Sequence, residues 1–192
     1  MDIVSSGQRV VLTALGPRDL ETLARWDEDP EVTRYAGKRF ADAAAVGEWW
    51  RQARVDARHV VLAIRTRDGR VIGDVELVQI NWARREAELR IRIGDRRFWS
   101  RGYGREAVEA TAAYAARRGL WRLYLRVDAR NERAIRCYLR AGFRKRGRLV
   151  AGRRQGAGMA DMYFMERSLV PAAAAGYAAC GLDGPVSTQL KM

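Results

Sequence analysis

The stretch SRGYGREA at positions 100–107 places Gly102, Gly104 and Ala107 in the G-x-G-x-x-A spacing of a phosphate-binding turn. Glycines at such positions let the backbone approach an anion closely. A helix beginning at Gly104 would point its free N–H groups at the same place, which suits a pyrophosphate. Asp128 stands about as far downstream as the ribose-binding acid of a dinucleotide site. The pattern G-x-x-x-x-G-K-[ST] is absent, which excludes a P-loop nucleotide site. Other chemistry is sparse. His59 is the single histidine, so zinc sites with several histidines are excluded. Cys137 and Cys180 match no metal spacing, and no metal is expected. Both thiols are expected free, in a reducing cytoplasm.

The elements around the glycines decide which anion is held. The 192 residues, 48% of them hydrophobic, suffice for one domain with a packed core. A strand is expected over 8–14 and a helix over 17–26, opened by Pro17. Asp42 caps a helix reaching to about 54. Strands over 59–66, 71–80 and 87–93 follow as an antiparallel meander. In the last, Ala87, Leu89, Ile91 and Ile93 alternate with Glu88, Arg90 and Arg92. Then come a helix over 105–118, a strand over 121–127 and a helix over 131–141 with Ala134, Ile135, Tyr138 and Leu139 as its apolar stripe. Two strands, 143–150 and 159–168, flank a Gly-rich hairpin. The fold class is α+β, a mixed and mostly antiparallel sheet flanked by helices. Residues 1–168 form the single domain, and 169–192 read as a tail. A dinucleotide fingerprint needs a parallel strand running straight into its first glycine. Here DRRFW intervenes after an antiparallel meander, so the pyrophosphate belongs to a different molecule.

The net charge of +13 is almost entirely arginine, since Lys38, Lys145 and Lys191 are the only lysines. Basic proteins attract polyanions: nucleic acid, anionic membrane or a phosphorylated cofactor. The arginines are scattered, with no lysine-rich or aromatic-interleaved block, so nucleic acid is not the expected partner. No apolar run reaches the roughly 18 residues of a membrane span, and no secretory signal opens the chain.

WSRGYGREA followed by NERAIRCYLRAGF resembles the GNAT superfamily of acetyl-CoA-dependent N-acetyltransferases over about residues 8–168. The likeness is greatest to the branch holding the ribosomal-protein alanine, spermidine and some aminoglycoside acetyltransferases. Trp99 stands where the superfamily usually opens its loop with Gln or Arg, and aromatic residues occur there in this branch. The resemblance implies that Trp99, Ser100, Arg101, Gly102, Tyr103, Gly104 and Arg105 hold the CoA pyrophosphate through backbone N–H groups. Ile91, Arg92 and Ile93 would pair with the pantetheine arm, and Asn131 would hydrogen-bond it. Tyr138, seven residues after Asn131, falls at the family's general acid, and Glu88 at a carboxylate proposed as general base.

That chemistry has a plain requirement. An amine must lose a proton to attack the thioester, the oxyanion needs a donor such as a strand N–H near Ile91, and the leaving thiolate needs a proton. Each residue also has a simpler reading. Tyr138 lies on its helix's apolar stripe as a core tyrosine would, and Glu88 could be a strand acid paired with an arginine. Asn131 caps its helix under either reading, Glu106 suits the helix dipole, and Cys137 and His59 read as packing and strand residues. Three classes compete: an N-acetyltransferase, a catalytically silent acyl-CoA-binding module, and a basic nucleic-acid-associated protein. The acceptor pocket is expected from 27–58, 81–86 and 150–160, with Tyr35, Trp49, Trp50 and Trp82 among candidates to shape it. The basic balance disfavours polyamines and aminoglycosides, although Asp27, Glu28, Asp29 and Glu31 cluster at one wall. A protein N-terminus or small amine is the first expectation. The oligomeric state is open, a homodimer being one form the chain could take.

Overall fold

The computed structural model describes residues 3–35, 39–150 and 160–169. Eight strands form one sheet: β1 (Ile3–Ser6), β2 (Val10–Ala14), β3 (Val60–Thr66), β4 (Val71–Asn81), β5 (Glu86–Ile93), β6 (Arg122–Asp128), β7 (Arg144–Leu149) and β8 (Met162–Ser168). Their spatial order is β1-β2-β3-β4-β5-β6-β8-β7. Every neighbouring pair is antiparallel except β5 with β6. This is the mixed, mostly antiparallel sheet expected from the sequence. Five helices accompany it: α1 (Leu20–Asp27), α2 (Pro30–Thr33), α3 (Ala43–Val55), α4 (Tyr103–Arg117) and α5 (Glu132–Arg140).

Several boundaries differ from the sequence reading. The expected strand over 8–14 is the second half of a hairpin, because Ile3–Ser6 pairs with it through a turn at Gly7. Pro17 opens a short 3-10 turn, and α1 proper starts at Leu20. α4 starts at Tyr103, with Gly102 as its N-cap at φ +86°, so the helix begins inside the glycine motif. Leu139, placed on the buried stripe of α5, is 46% exposed, while Ile135 and Tyr138 are buried. The hairpin tip at 151–159, Cys180 and all but the first residue of the expected tail lie outside the described residues.

Alternation along the strands builds two cores on the two faces of the sheet. Val10, Leu12, Leu62, Ile64, Val75 and Leu89 face α4 and α5, with Val108, Ala112, Ile135, Phe143 and Met165 closing that side. Ala63 and Val61 face the other way, toward Leu15, Leu23, Phe40, Val46 and Trp49. That smaller core seats α1 against α3. Trp50 is fixed there by its indole N–H, which donates to the Leu15 carbonyl at 3.0 Å.

Two irregularities shape the middle of the sheet. β4 carries one residue more than β5 between Val78 and Asn81, a bulge in which Gln79 takes φ +53°. Beside it, β5 and β6 pair only at Glu86–Arg122, Ala87–Leu123 and Glu88–Tyr124. Past Glu88 the two strands part, although β5 continues to Ile93 and β6 to Asp128.

Phe143 is 1% exposed and its ring lies 5.9 Å from that of Tyr138. Phe143→Ala is expected to lower stability by about 3–5 kcal/mol in a urea-unfolding comparison. A cost below about 1 kcal/mol would show that this corner of the core can collapse around the gap.

Candidate active site

The parting of β5 and β6 opens a cleft of about 890 Å³ on the α4–α5 side. Its walls come from both cores of the expected motif. Ile91 and Ile93 line it from β5, and Trp99, Ser100, Gly102, Gly104 and Arg105 from the loop and first turn of α4. Tyr138, Cys137 and Arg133 line it from α5. The β1–β2 turn, Gly7 to Arg9, closes the remaining side. β5 is bonded to β4 along one edge, so past Glu88 its other edge faces this cleft, open to an extended chain laid alongside.

The glycine loop leaves the start of α4 open to the cleft. Ser100 at φ +57° and Gly102 at φ +86° turn the chain so that α4 begins without a side-chain cap. Its first N–H groups are therefore free at the positive end of the helix. Trp99 is pinned rather than free. Its indole N–H donates to the Ile93 carbonyl at 2.6 Å, and the Arg133 guanidinium lies 3.5 Å from its ring centroid. Burial pushes the Arg133 guanidinium below its ordinary value. This stack joins the end of β5, the loop and α5.

Tyr138 is 8% exposed, and burial pushes its phenol well above the ordinary value. Among the described residues nothing hydrogen-bonds its hydroxyl, yet Arg92 Nη2 is the only buried side-chain polar atom without a partner. The Tyr138 hydroxyl is thus not sealed in the core; it meets the cleft, protonated at neutral pH. Cys137 beside it is pushed up to about 11, chiefly by burial and then by the Glu109 charge. A thiol in that state is no nucleophile, which agrees with a packing role. Asn131 accepts from the Ala134 amide at 3.1 Å as the cap of α5 and is not on the cleft wall. Arg101 and Tyr103 are likewise not among the residues of the cleft wall; the Arg101 carbonyl accepts from Arg9, and Tyr103 packs edge-on against Phe98.

Glu88 stands at the fork, 3% exposed, on the other face of β5. Arg126 Nη2 donates to both its oxygens at 3.0 and 2.9 Å, and Arg90 Nη2 reaches Oε2 at 3.4 Å. Arg126 lies on β6 beyond the last bridge, so this pair spans the parting strands.

Glu88 belongs to a group of buried acids on this side of the sheet, with Asp74, Glu76 and Asp27. Asp74 and Glu76 of β4 pair across with Arg92 and Arg90, and on β3 with Ala63 and Val61 of the smaller core. Arg39 Nη1 bridges them, 2.8 Å from Asp74 and 2.9 Å from Glu76. His59 Nε2 meets Glu76 at 2.7 Å. Arg92 joins Asp74, at 3.0 Å, to Asp27, which also accepts from the Phe40 amide at 2.8 Å. Arg92 thus has its backbone on the cleft strand and its side chain in this network. Of the expected acidic wall, only Asp27 takes part; Asp29 caps α2, and Glu31 pairs with Arg34. Asp74, Glu76, Arg39 and Arg126 were missed by the sequence reading. The signal was present in GDVEL, where two acids alternate with apolar residues in a strand. Of the tryptophans and Tyr35, Trp49 borders the network, 4.9 Å from the Arg39 guanidinium.

Among the described residues no group of three or more His, Cys, Asp or Glu is placed to hold a metal ion, and no helix is long and apolar enough to cross a membrane. A sheet split beside an uncapped helix start, with a buried phenol at the split, defines a scaffold for acyl transfer from a pyrophosphate-bearing thioester. The model of the acetyltransferase (GNAT) domain matches residues 9–144. The spermidine N(1)-acetyltransferase of Escherichia coli K12 is 31% identical over 150 residues, 76% of this chain and 78% of that one. An uncharacterised protein of Methanocaldococcus jannaschii is 25% identical over 146 residues, 74% of this chain and 29% of that one. The structure of spermidine N-acetyltransferase from Vibrio cholerae in complex with CoA and spermine superposes with a TM-score of 0.77 at 22% identity, covering 85% of this chain and 97% of that one. The chain belongs to the GNAT acetyltransferases. It is an acetyl-CoA-dependent N-acetyltransferase, with acetyl-CoA as co-substrate.

Burial opposes ionisation of Asp74, and Arg39 with Arg92 outweighs it, so its carboxyl sits below the usual carboxylate range. A lowered carboxylate stabilises the fold above its unfolded value and stops doing so as the pH falls through its folded value. Arg39→Met removes one partner and is expected to cost about 3 kcal/mol at neutral pH. Urea unfolding should show the deficit narrowing as the pH drops through the carboxylate range. A deficit constant down to about pH 3 would show that Arg39 acts only by packing on Phe40 and Trp49.

Proposed function

We propose that the chain acetylates a primary amine of the polyamine class by direct attack on acetyl-CoA in a ternary complex. The observation that carries this is the set of buried acids behind the fork, Asp74, Glu76 and Glu88 on the sheet with Asp27 of α1 against them. Arg39, Arg90, Arg92 and Arg126 match their charge, so in a chain of net charge +13 this region is near neutral and admits a cationic acceptor where the overall charge would repel one. The activity named for the Escherichia coli relative supports the same class. A protein N-terminus, the first expectation from charge, needs no such region.

In this reading the pyrophosphate lies on the 99–105 turn and the pantetheine arm runs beside Ile91–Ile93, while Asn131 keeps its place as the cap of α5. The thioester carbon comes to the fork. A strand N–H near Ile91 receives the oxyanion of the tetrahedral intermediate. The C–S bond then breaks, and Tyr138, protonated and at the cleft, gives its proton to the CoA thiolate. The amine's proton leaves through a water toward Glu88. A carboxylate offers about four lone-pair positions. Arg126 fills three, and the Arg90 contact at 3.4 Å from a half-exposed side chain is the one that can yield to water.

Thiol release from acetyl-CoA would be followed with spermidine, an aminoglycoside, amino acids and N-terminal peptides. Spermidine is expected to give the highest kcat/KM. Tyr138→Phe should lower kcat by about 100-fold or more. Glu88→Gln should lower kcat. Preference for the peptides would overturn the polyamine assignment, and full activity in Tyr138→Phe would remove that residue from proton transfer.

A further inference from the structure

We propose that Arg9 is a positioning residue for the donor substrate: it locks the 99–105 turn in its anion-binding shape from the β1–β2 hairpin. Its interactions converge on that turn from several directions. Nη1 donates to the Arg101 carbonyl at 2.7 Å, and Nε to Glu106 Oε2 at 3.0 Å. The Arg9 amide donates to the other oxygen of Glu106. The guanidinium carbon stands 4.9 Å from the Tyr103 ring centroid. Nη2 lies against Gly102, where a Cβ would come within 2.7 Å of it. One side chain thereby touches residues 101, 102, 103 and 106.

The turn needs an outside hold. Ser100 has a side chain yet sits at φ +57°, and such a conformation persists only where its surroundings fix it. Gly102 brings no side chain to cap the helix it starts. The hairpin that supplies Arg9 is itself tied down: Arg67 donates to the carbonyls of Gly7 at 2.6 Å and Gln8 at 3.0 Å.

Charge gives Arg9 a second task. Glu106, in the first turn of α4 and on the cleft wall, would repel a pyrophosphate at the helix start. Burial works against its ionisation, but the Arg9 amide and guanidinium and the Val10 amide prevail and keep it a carboxylate. Arg9 neutralises that charge where it stands. Gly7 fits the same design, since a Cβ there would run into the Glu106 side chain.

The inference rests on reading the 99–105 turn as the pyrophosphate site, and the experiment separates the two. Wild type, Arg9→Ala, Arg9→Lys and Gly102→Ala are compared with acetyl-CoA and with acetyl-pantetheine, which has no pyrophosphate; melting temperatures confirm folding. Arg9→Ala should raise KM for acetyl-CoA about tenfold, with kcat within about twofold and the acceptor KM unmoved. Its kinetics with acetyl-pantetheine should match wild type. Arg9→Lys should fall between, because an ammonium keeps the charge but cannot span Glu106 and the Arg101 carbonyl in one plane. If Gly102→Ala impairs acetyl-CoA alone while Arg9→Ala impairs neither donor, the turn stands and the role of Arg9 is refuted. If both variants affect the two donors equally, the pyrophosphate reading falls first.

Discussion

β5 and β6 are bonded for three residue pairs and then separate, and the rest of the molecule is arranged around that fork. An unpaired strand edge in a sheet interior costs hydrogen bonds that must be recovered elsewhere. Here one side of the recovery is structural. The β4 bulge bends the sheet beside the last bridge, and the Glu88–Arg126 pair clasps the strands just as they part. The other side is left to the co-substrate, whose amide-bearing arm can lie along β5 as a further strand would. A single constraint thus provides the cleft and, in the proposed function, the place where the thioester meets the opposite face of the sheet.

The two faces at the fork are chemically unlike. On the α4–α5 side the wall is apolar strand, free helix N–H groups and a phenol. On the α1–α3 side an unbroken chain of polar contacts runs from His59 through Glu76, Arg39, Asp74 and Arg92 to Asp27. Burying so many charges is tolerable only because nearly every one is bonded to its opposite. The network costs little when complete and much when broken, so the 39–40 segment, β4, β5 and α1 are held in one arrangement. Arg92 marks the boundary, with its backbone serving one face and its side chain the other.

Much of this was legible in the chain. The alternation of Ala87 to Ile93, the glycine motif and the cap-to-stop run from Asn131 to Gly142 each combine a local pattern with a local conformation, so they survive in the fold with only their ends shifted. The helix start moved to Tyr103 because a left-handed Gly102 caps without a side chain, a geometry that residue spacing does not distinguish from Gly104. β1 was missed because Ile3–Ser6 is short and becomes a strand only by pairing with β2. The stripe Glu88, Arg90 and Arg92 reads as a second, polar face of the strand. Glu88 and Arg92 are largely covered there and Arg90 is half-exposed, because the acids of β4 and the arginines of β6 and the 39–40 segment come from far along the chain. A period of two reveals a second face; it does not reveal what covers it.

On the proposed function, net charge is a poor guide to the acceptor for a related reason. A net charge of +13 is a sum, while an amine meets only the few groups within a Debye length of its path, about 8 Å at physiological ionic strength. The arginines that make the total are spent in two ways: many lie exposed on the surface, and a few are buried against the acids behind the fork. The same residue type also works on the donor side, where Arg133 stacks on Trp99 and Arg9 clamps the turn. Arginine suits each of these places because its planar fork binds carboxylate and carbonyl together and lies flat on an aromatic ring. A lysine-rich chain of equal charge could not have built either the network or the clamp.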